Sequence, residues 1–212
     1  MKVLVTGSRG KVGTAVVRAL IAAGHQVTGS DLGRHPFDRI LPGEPDYQQA
    51  DLTDAGQVYG MVRDFDAVVH AGAIPEPTHN PPHVVFQNNI MGTFNMIEAS
   101  IRAGVKVFVN ISSETVPGFF FPERPVLPEY APVDEGHPIE PQDPYALSKL
   151  FGEELCDAAV RRSDMRCISI RPSHVQHAGN YERNLGAQVR DAGKLSPNLW
   201  SYVDSDDLAD AI

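Results

Sequence analysis

Short apolar runs alternate along this chain with segments whose apolar residues recur every three or four positions, and turn formers separate the two. The runs at 2–6, 26–30, 47–50, 67–71, 105–111, 166–171 and 200–203 read as strands, buried on both faces where they are continuously apolar. Helical spacing marks 14–23, where Val16, Val17, Leu20 and Ile21 share a side and Gly24 closes the segment. It recurs at 54–63, at 84–103 through Phe86, Ile90, Phe94 and Ile97, at 145–162 and at 185–192. Ser205 can cap a last helix, which is short enough to need packing. The alternation predicts an α/β fold, a doubly wound parallel sheet of Rossmann type covered by helices on both faces.

Two stretches break the rhythm. Residues 34–46 read as a proline-punctuated loop. Residues 118–142 are proline-rich and carry several acids and three successive aromatics, Phe119, Phe120 and Phe121. A loop that long is functional or mobile. The phenylalanines either line a substrate pocket or pack against the domain, and the pattern leaves both open.

The 212 residues suffice for one full core, and 42% hydrophobic with 21% charged residues is ordinary for a globular protein. A net charge of −9 argues against nucleic acid or an anionic membrane as partner. No apolar run approaches the ~20 residues of a bilayer span. Met1 to Val5 leads straight into a glycine turn without a secretory pattern, and Cys156 and Cys167 lack metal spacing. A cytoplasmic protein with two buried thiols is expected.

The turn Thr6-Gly7-Ser8-Arg9-Gly10-Lys11-Val12-Gly13 sets three glycines between a strand and a helix. The first permits the tight turn, the second lets backbone approach a pyrophosphate, and the third lets helix pack on strand. The helix N-terminus then offers free N–H groups to phosphates. Asp31, ending the next strand, suits the adenosine ribose hydroxyls and repels a 2′-phosphate, so NAD is favoured over NADP. Arg9 and Arg34 pull toward NADP if they meet that phosphate, but surface roles suit them better. Asp51 and Leu52 either hold the adenine edge or form a turn cap.

Tyr145 and Lys149 lie on one helix face. An ammonium beside a phenol is expected to lower the tyrosine pKa and make it a general acid/base. Ser113 ends a strand at the carboxyl edge of the sheet, where ligands bind in such folds, and can hold a substrate oxygen. Nicotinamide would carry the hydride. The eight histidines, among them His70, His79, His83, His174 and His177, show no metal pairing, and no metal site is expected. There is no Gly-x-Ser-x-Gly elbow for a hydrolase.

As a set these residues resemble the extended short-chain dehydrogenase/reductase family, in its NAD-dependent epimerase/dehydratase group, over essentially the whole chain. The matching motifs are the glycine turn, Asp31, Asp51-Leu52, His70-Ala71-Gly72-Ala73, Asn89 with Gly92-Thr93, Ser112-Ser113, Pro144 to Lys149, Arg171-Pro172 and Tyr202-Val203-Asp204. The resemblance implies Ser113, Tyr145 and Lys149 as catalytic trio, with Lys149 also on the nicotinamide ribose. It implies that Gly7, Arg9, Gly10, Lys11, Val12, Gly13, Ala71, Gly72, Ala73, Asn89, Ile111, Arg171 and Pro172 line the cofactor, and that Ser112, Ser113, Glu114 and Tyr145 meet the substrate. It also implies a homodimer through helices 84–103 and 145–162.

The departures narrow the reaction. Glu114-Thr115 stands where the dehydratases carry an acid–base pair, so 4,6-dehydration is disfavoured. Val116-Pro117-Gly118 is closer to uronate dehydrogenase-like members than to large nucleotide-sugar epimerases. The expectation is an NAD-dependent epimerase or dehydrogenase acting on a sugar, sugar nucleotide or sugar acid. The alternative is a non-catalytic NAD(P)-binding sensor or scaffold. Residues 1–172 are expected to form the NAD-binding domain. Residues 173–212 would begin an incomplete substrate region whose last strand returns to the sheet.

Overall fold

The order of apolar side chains along each strand decides which face of the sheet each one packs. The computed structural model describes residues 1–33, 45–186, 190–191 and 199–212. Strands β1 (Lys2–Thr6), β2 (Gln26–Asp31), β3 (Asp46–Gln49), β4 (Ala67–His70), β5 (Val107–Ile111) and β6 (Arg166–Ile170) form one parallel sheet in the order β3-β2-β1-β4-β5-β6. Val3 pairs with Val27 on one side and Ala67 on the other, Val68 with Phe108, and Val109 with Ile168. Successive side chains point to opposite faces. Leu4, Val68 and Phe108 meet helices α2 (Ala55–Met61), α3 (Pro82–Ala103) and α4 (Pro144–Arg162). Val3, Val5, Val69, Val109 and Ile111 meet α1 (Lys11–Ala22) on the other face.

Cover on that second face stops short of the sheet edge. Among the described residues, β6 is open there, with Ile168 53% exposed, so the expected cover on both faces is realised over the centre of the sheet and not at β6. The last strand is a second correction. Strand β8 (Tyr202–Asp204) pairs with β7 (His174–Gln176) in a separate two-stranded sheet and does not return to the main one. Pro172 has no N–H to continue a ladder, so the chain leaves the sheet after β6, and the two short strands pair with each other. His174, expected in a loop, begins β7.

A short helix α5 (Tyr181–Asn184) precedes the position expected for a helix at 185–192. Residues 187–189 and 192 of that expected helix, and 34–44 of the expected loop including Arg34, lie outside the described residues. The final helix α6 (Ser205–Asp210) is held by burial of Leu208 and Ala209, with α1 as its main packing partner.

The chain runs outward from β1 through β2 to β3 and then returns to β4 on the other side of β1. This reversal opens a crevice at the carboxyl ends of β1 and β4, the place where ligands bind in such sheets. The glycine turn follows β1 and Ala71-Gly72-Ala73 follows β4, so topology alone brings these segments face to face.

Candidate active site

The glycine turn is fixed by close backbone approach. Gly7 has φ +64°, and a Cβ there would lie 2.7 Å from the Ala71 backbone. A Cβ on Gly13 would lie 2.1 Å from the Gly7 carbonyl oxygen. Only hydrogen fits at either position, which is the packing that the spacing predicts. Gly10 caps α1 without a side-chain hydrogen bond, leaving the helix N-terminus open toward the crevice. Asp31 accepts from the backbone N–H of Arg9 at 3.0 Å through one carboxylate oxygen and of Leu32 at 2.8 Å through the other. Each oxygen keeps lone-pair capacity for ribose hydroxyls.

These residues border a groove of about 560 Å³ that also takes in Asp51, Leu52, Ala71, Gly72 and Ala73. Asp51 and Leu52 both line the groove. The Asp51 carboxylate accepts from Thr53 N–H and O–H, which makes it a turn cap. Val12 packs into the core beneath the turn, and Lys11 is exposed at the start of α1. An open helix N-terminus, a glycine floor and a carboxylate at the far end fit a dinucleotide.

Asp143 positions the start of α4 by accepting from the N–H groups of Tyr145 and Ala146, both at 2.9 Å. Ser113 neighbours the Tyr145 phenol closely enough for its hydroxyl to favour the phenolate. Ser113 Oγ accepts from Thr115 N–H at 3.2 Å and Thr115 O–H at 3.0 Å, so its own proton is left for Tyr145 or a ligand. Lys149 Nζ donates to the Ile111 carbonyl at 2.7 Å and lies 5.7 Å from the Tyr145 ring centroid. Asn89 donates to Ser148 Oγ at 3.1 Å and to the Ile74 carbonyl at 3.0 Å, tying the segment after β4 that lines the groove to α4. His70 sits between Thr6 Oγ1 at 2.9 Å and Thr93 Oγ1 at 3.1 Å, and burial pulls its pKa down to about 3.

The electrostatics correct one expectation. Burial pushes the Tyr145 phenol up to about 12, with the charges of Asp143 and Glu114 adding to the effect and the Ser113 hydrogen bond opposing it. The ammonium of Lys149 is engaged by the Ile111 carbonyl, and desolvation wins over any lowering in this state. Burial also pulls Lys149 down to about 8, while Glu153 works against that. Tyr145 is therefore protonated at neutral pH.

A second cavity of about 430 Å³ adjoins the trio through Glu114 and extends under the long loop, with Phe119, Pro132, Asp134, Glu135 and Arg171 among its walls. Glu114 is pushed up to about 8 by burial, against a hydrogen bond from the His174 backbone. The aromatic contacts of the three phenylalanines lie within the long loop itself. Phe119 lines this cavity and also packs edge-on against His137, and Phe120 packs on Phe121.

Ser113, Tyr145, Lys149, Ile111 and Asn89 thus converge at the carboxyl edge of the sheet. Ser112 and Arg171 turn elsewhere. The Ser112 hydroxyl donates to Glu153, and Arg171 makes a two-pronged pair with the same carboxylate at 2.8 and 2.7 Å. Arg171 borders the cavity beside Glu114, and the Pro172 carbonyl accepts from the Glu114 N–H at 3.1 Å. Glu153 escaped the motif-based reading. Its signal was present in the spacing, since it continues the helical face of Tyr145 and Lys149 by another four residues. Among the described residues, no three His, Cys, Asp or Glu side chains are grouped to hold a metal, and no helix is long and apolar enough to cross a membrane.

Residues 3–212 match the family model for the NAD dependent epimerase/dehydratase family. A UDP-glucose 4-epimerase of Lactobacillus helveticus is 27% identical over 98% of the chain and 61% of its own length. A uronate dehydrogenase of Pseudomonas syringae pv. tomato is 28% identical over 80% of the chain and 58% of its own length. A solved short-chain dehydrogenase/reductase superfamily protein from Agrobacterium tumefaciens, with bound NAD, superposes with a TM-score of 0.72 at 31% identity, covering 91% of this chain and 61% of that one. The chain thus spans about three-fifths of the length of the curated relatives it matches.

Proposed function

The chain belongs to the NAD-dependent epimerase/dehydratase family, and on that premise we propose that it oxidises a sugar, sugar nucleotide or sugar acid by hydride transfer to NAD. The observation that carries this reading is the gathering of Ser113, Tyr145 and Lys149 at the carboxyl edge of the sheet, with Lys149 Nζ on the Ile111 carbonyl and 5.7 Å from the Tyr145 ring, and with a glycine groove and a cavity lined by Glu114 at the same edge. In this reading residues 1–172 bind the cofactor and residues from 173 onward contribute to the substrate side. The α1 N-terminus would hold the pyrophosphate of NAD and Asp31 its ribose, and the nicotinamide would supply the hydride acceptor.

Ser113 donates a hydrogen bond to the reacting oxygen. Tyr145 exchanges the proton on that oxygen. With a phenol held near 12, the protonated state is the resting one, and removal of a proton requires the phenolate to be stabilised. Lys149 provides the adjacent positive charge and anchors the ribose. Glu114 faces substituents beside the reacting carbon. Dehydrogenase and epimerase share the first transfer and differ in whether the hydride returns to the sugar. The relatives named above include one of each kind.

The proposal extends to a homodimer through α3 and α4. Its support is an exposed apolar face where Phe86 and Phe151 meet edge-on and where Met91 and Phe94 remain 38% and 41% exposed. Sedimentation of the protein and of a Phe94→Glu variant tests this, with a monomeric parent as the outcome against it.

The decisive experiment is incubation with NAD and a panel of sugars, uronates and sugar nucleotides, comparing the parent with Tyr145→Phe. Net NADH identifies a dehydrogenase, and an isomerised sugar without NADH identifies an epimerase. Turnover that survives Tyr145→Phe refutes the mechanism, and NAD binding without turnover by the parent favours the sensor or scaffold.

A further inference from the structure

Glu153 is half-buried where the end of β5, the end of β6 and helix α4 converge. One carboxylate oxygen receives the Ser112 hydroxyl and the Arg171 Nε–H, and the other receives the Arg171 Nη2–H. A single side chain thereby ties the catalytic helix to the two strand exits that carry Ser112-Ser113 and Arg171-Pro172. It lies one helical turn beyond Lys149, as Tyr145 lies one turn before it.

We propose that Glu153 is a positioning residue for the reaction, whose Arg171-clamped carboxylate holds the neighbouring Lys149 ammonium in its charged, donor form. The proposal rests on the reading of Lys149 as the cation beside Tyr145 and adds the residue that sets its charge.

The surroundings of Lys149 leave few other candidates for that task. From β5 it meets the uncharged Ile111 carbonyl. From β4 the nearby titratable group is His70, which burial keeps neutral. On its own helix the neighbours are the neutral Tyr145 and Glu153. The α3 residues near this point, Asn89 and Thr93, carry no charge. Burial alone favours loss of the Lys149 proton, and Glu153 is the charged group that opposes it. Glu153 in turn faces Ser112 from β5 and Arg171 from the end of β6, and Arg171 also feels Glu135 from the long loop.

This arrangement predicts shifts of opposite sign for the two halves of the ion pair. Glu153→Gln keeps hydrogen-bonding capacity toward Ser112 and Arg171 but removes the negative charge. Arg171→Met keeps the carboxylate and removes the cation that offsets it. The measurement is an NMR titration of protein labelled at the lysine ε-carbons, with Lys149 assigned by the resonance missing in Lys149→Arg. In the parent the resonance is expected to titrate at about 8. In Glu153→Gln the midpoint falls by about half a pH unit or more, and in Arg171→Met it rises. Glu153→Asp restores the parent midpoint in part.

Any alkaline limb of hydride transfer moves with the Lys149 midpoint, downward in Glu153→Gln. A purely structural clamp would lower thermal stability in both variants and leave the Lys149 midpoint in place. An unchanged midpoint, or a shift of the same sign in both variants, overturns the proposal. If Glu153→Gln does not fold, Arg171→Met still decides it by the upward shift. The titration needs neither substrate nor turnover, so its failure is distinct from failure of the proposed reaction, which Tyr145→Phe reports.

Discussion

The two sides of the crevice are built by different means. On the glycine side the shape is made by backbone, with Gly7 against Ala71, Gly13 against Gly7, and an open helix end above them. On the loop side it is made by side chains and long-range contacts, with Phe119 on His137, Glu114 beside Arg171, and the 118–142 segment folded over them. A wall of backbone recognises what every dinucleotide shares. A wall of loop side chains can change from one relative to another without disturbing the sheet. The difference separates the part of the crevice shaped for a dinucleotide from the part whose side chains would select a substrate.

Tyr145→Phe, at the boundary, has the largest expected effect. It removes the proton that the proposed reaction moves and leaves the groove intact. Turnover falls roughly a hundredfold to ten-thousandfold with NAD affinity within about twofold of the parent, read by steady-state kinetics beside calorimetric binding. A joint loss of both would mean that the two walls are not separable.

Two glycines test the separation directly. Gly13→Ala forces a methyl to 2.1 Å from the Gly7 oxygen. It costs roughly 2–3 kcal/mol of stability and most NAD affinity. Gly118, at φ +105°, faces the Glu140 carbonyl oxygen at the same 2.1 Å for an added Cβ. Gly118→Ala strains the loop by a similar amount but leaves NAD affinity near that of the parent, and its loss appears in kcat/KM for the sugar. Thermal melts with and without NAD distinguish the two. Equal NAD stabilisation in both variants would contradict the contrast.

Asp31→Ala is smaller. The carboxylate orders its own turn through Arg9 and Leu32 N–H groups and is proposed to accept from the ribose. Removing it lowers NAD affinity roughly tenfold and narrows the gap to NADP, because the repulsion of a 2′-phosphate goes with the charge. A gap that stays as wide would transfer the preference to another residue.

The same division governed what could be read from sequence. The strands and helices around the glycine turn were legible because local pattern makes them: Val3, Leu4 and Val5 alternate into the two cores, and Gly24 closes α1. Tyr145 and Lys149 were legible because their spacing is helical. The partner of β8 was not, since a three-residue strand carries too little pattern to name β7 over β6. Nor was the exposed face of β6, where Ile168 looks like any core residue in sequence. The Tyr145 pKa went astray for a related reason. Spacing put an ammonium near the phenol, but only the fold shows how far burial outweighs it and that the ammonium is bound to Ile111. Glu153 lay in plain view at the right interval. Its meaning depends on Ser112 and Arg171, which are 41 and 18 residues away in sequence.

The mildest change, one that leaves the shape of the site unaltered, is at Glu114, and it brings the loop side into the stability of the whole fold. Burial raises this carboxyl from 4.5 to about 8, so the folded chain binds its proton more tightly than the unfolded chain does. The stabilisation is present below the unfolded pKa and is lost as pH rises through about 8. His70 acts in the opposite sense and elsewhere. Its folded pKa of about 3 lies below 6.5, so its contribution is present above 6.5 and is lost as pH falls toward 3. Lys149, lowered from 10.5 to about 8, changes stability only above about 8. Between roughly 6.5 and 8 the decline belongs mainly to Glu114, with a slope of up to about 1.4 kcal/mol per pH unit. Glu114→Gln keeps the shape and cannot ionise, so its denaturant midpoint stays flat across that window while the parent's falls. Parallel curves would mean that water reaches Glu114 from the cavity and that the loop side is open in solution. In that case the backbone-built wall would be the only pre-formed half of the site.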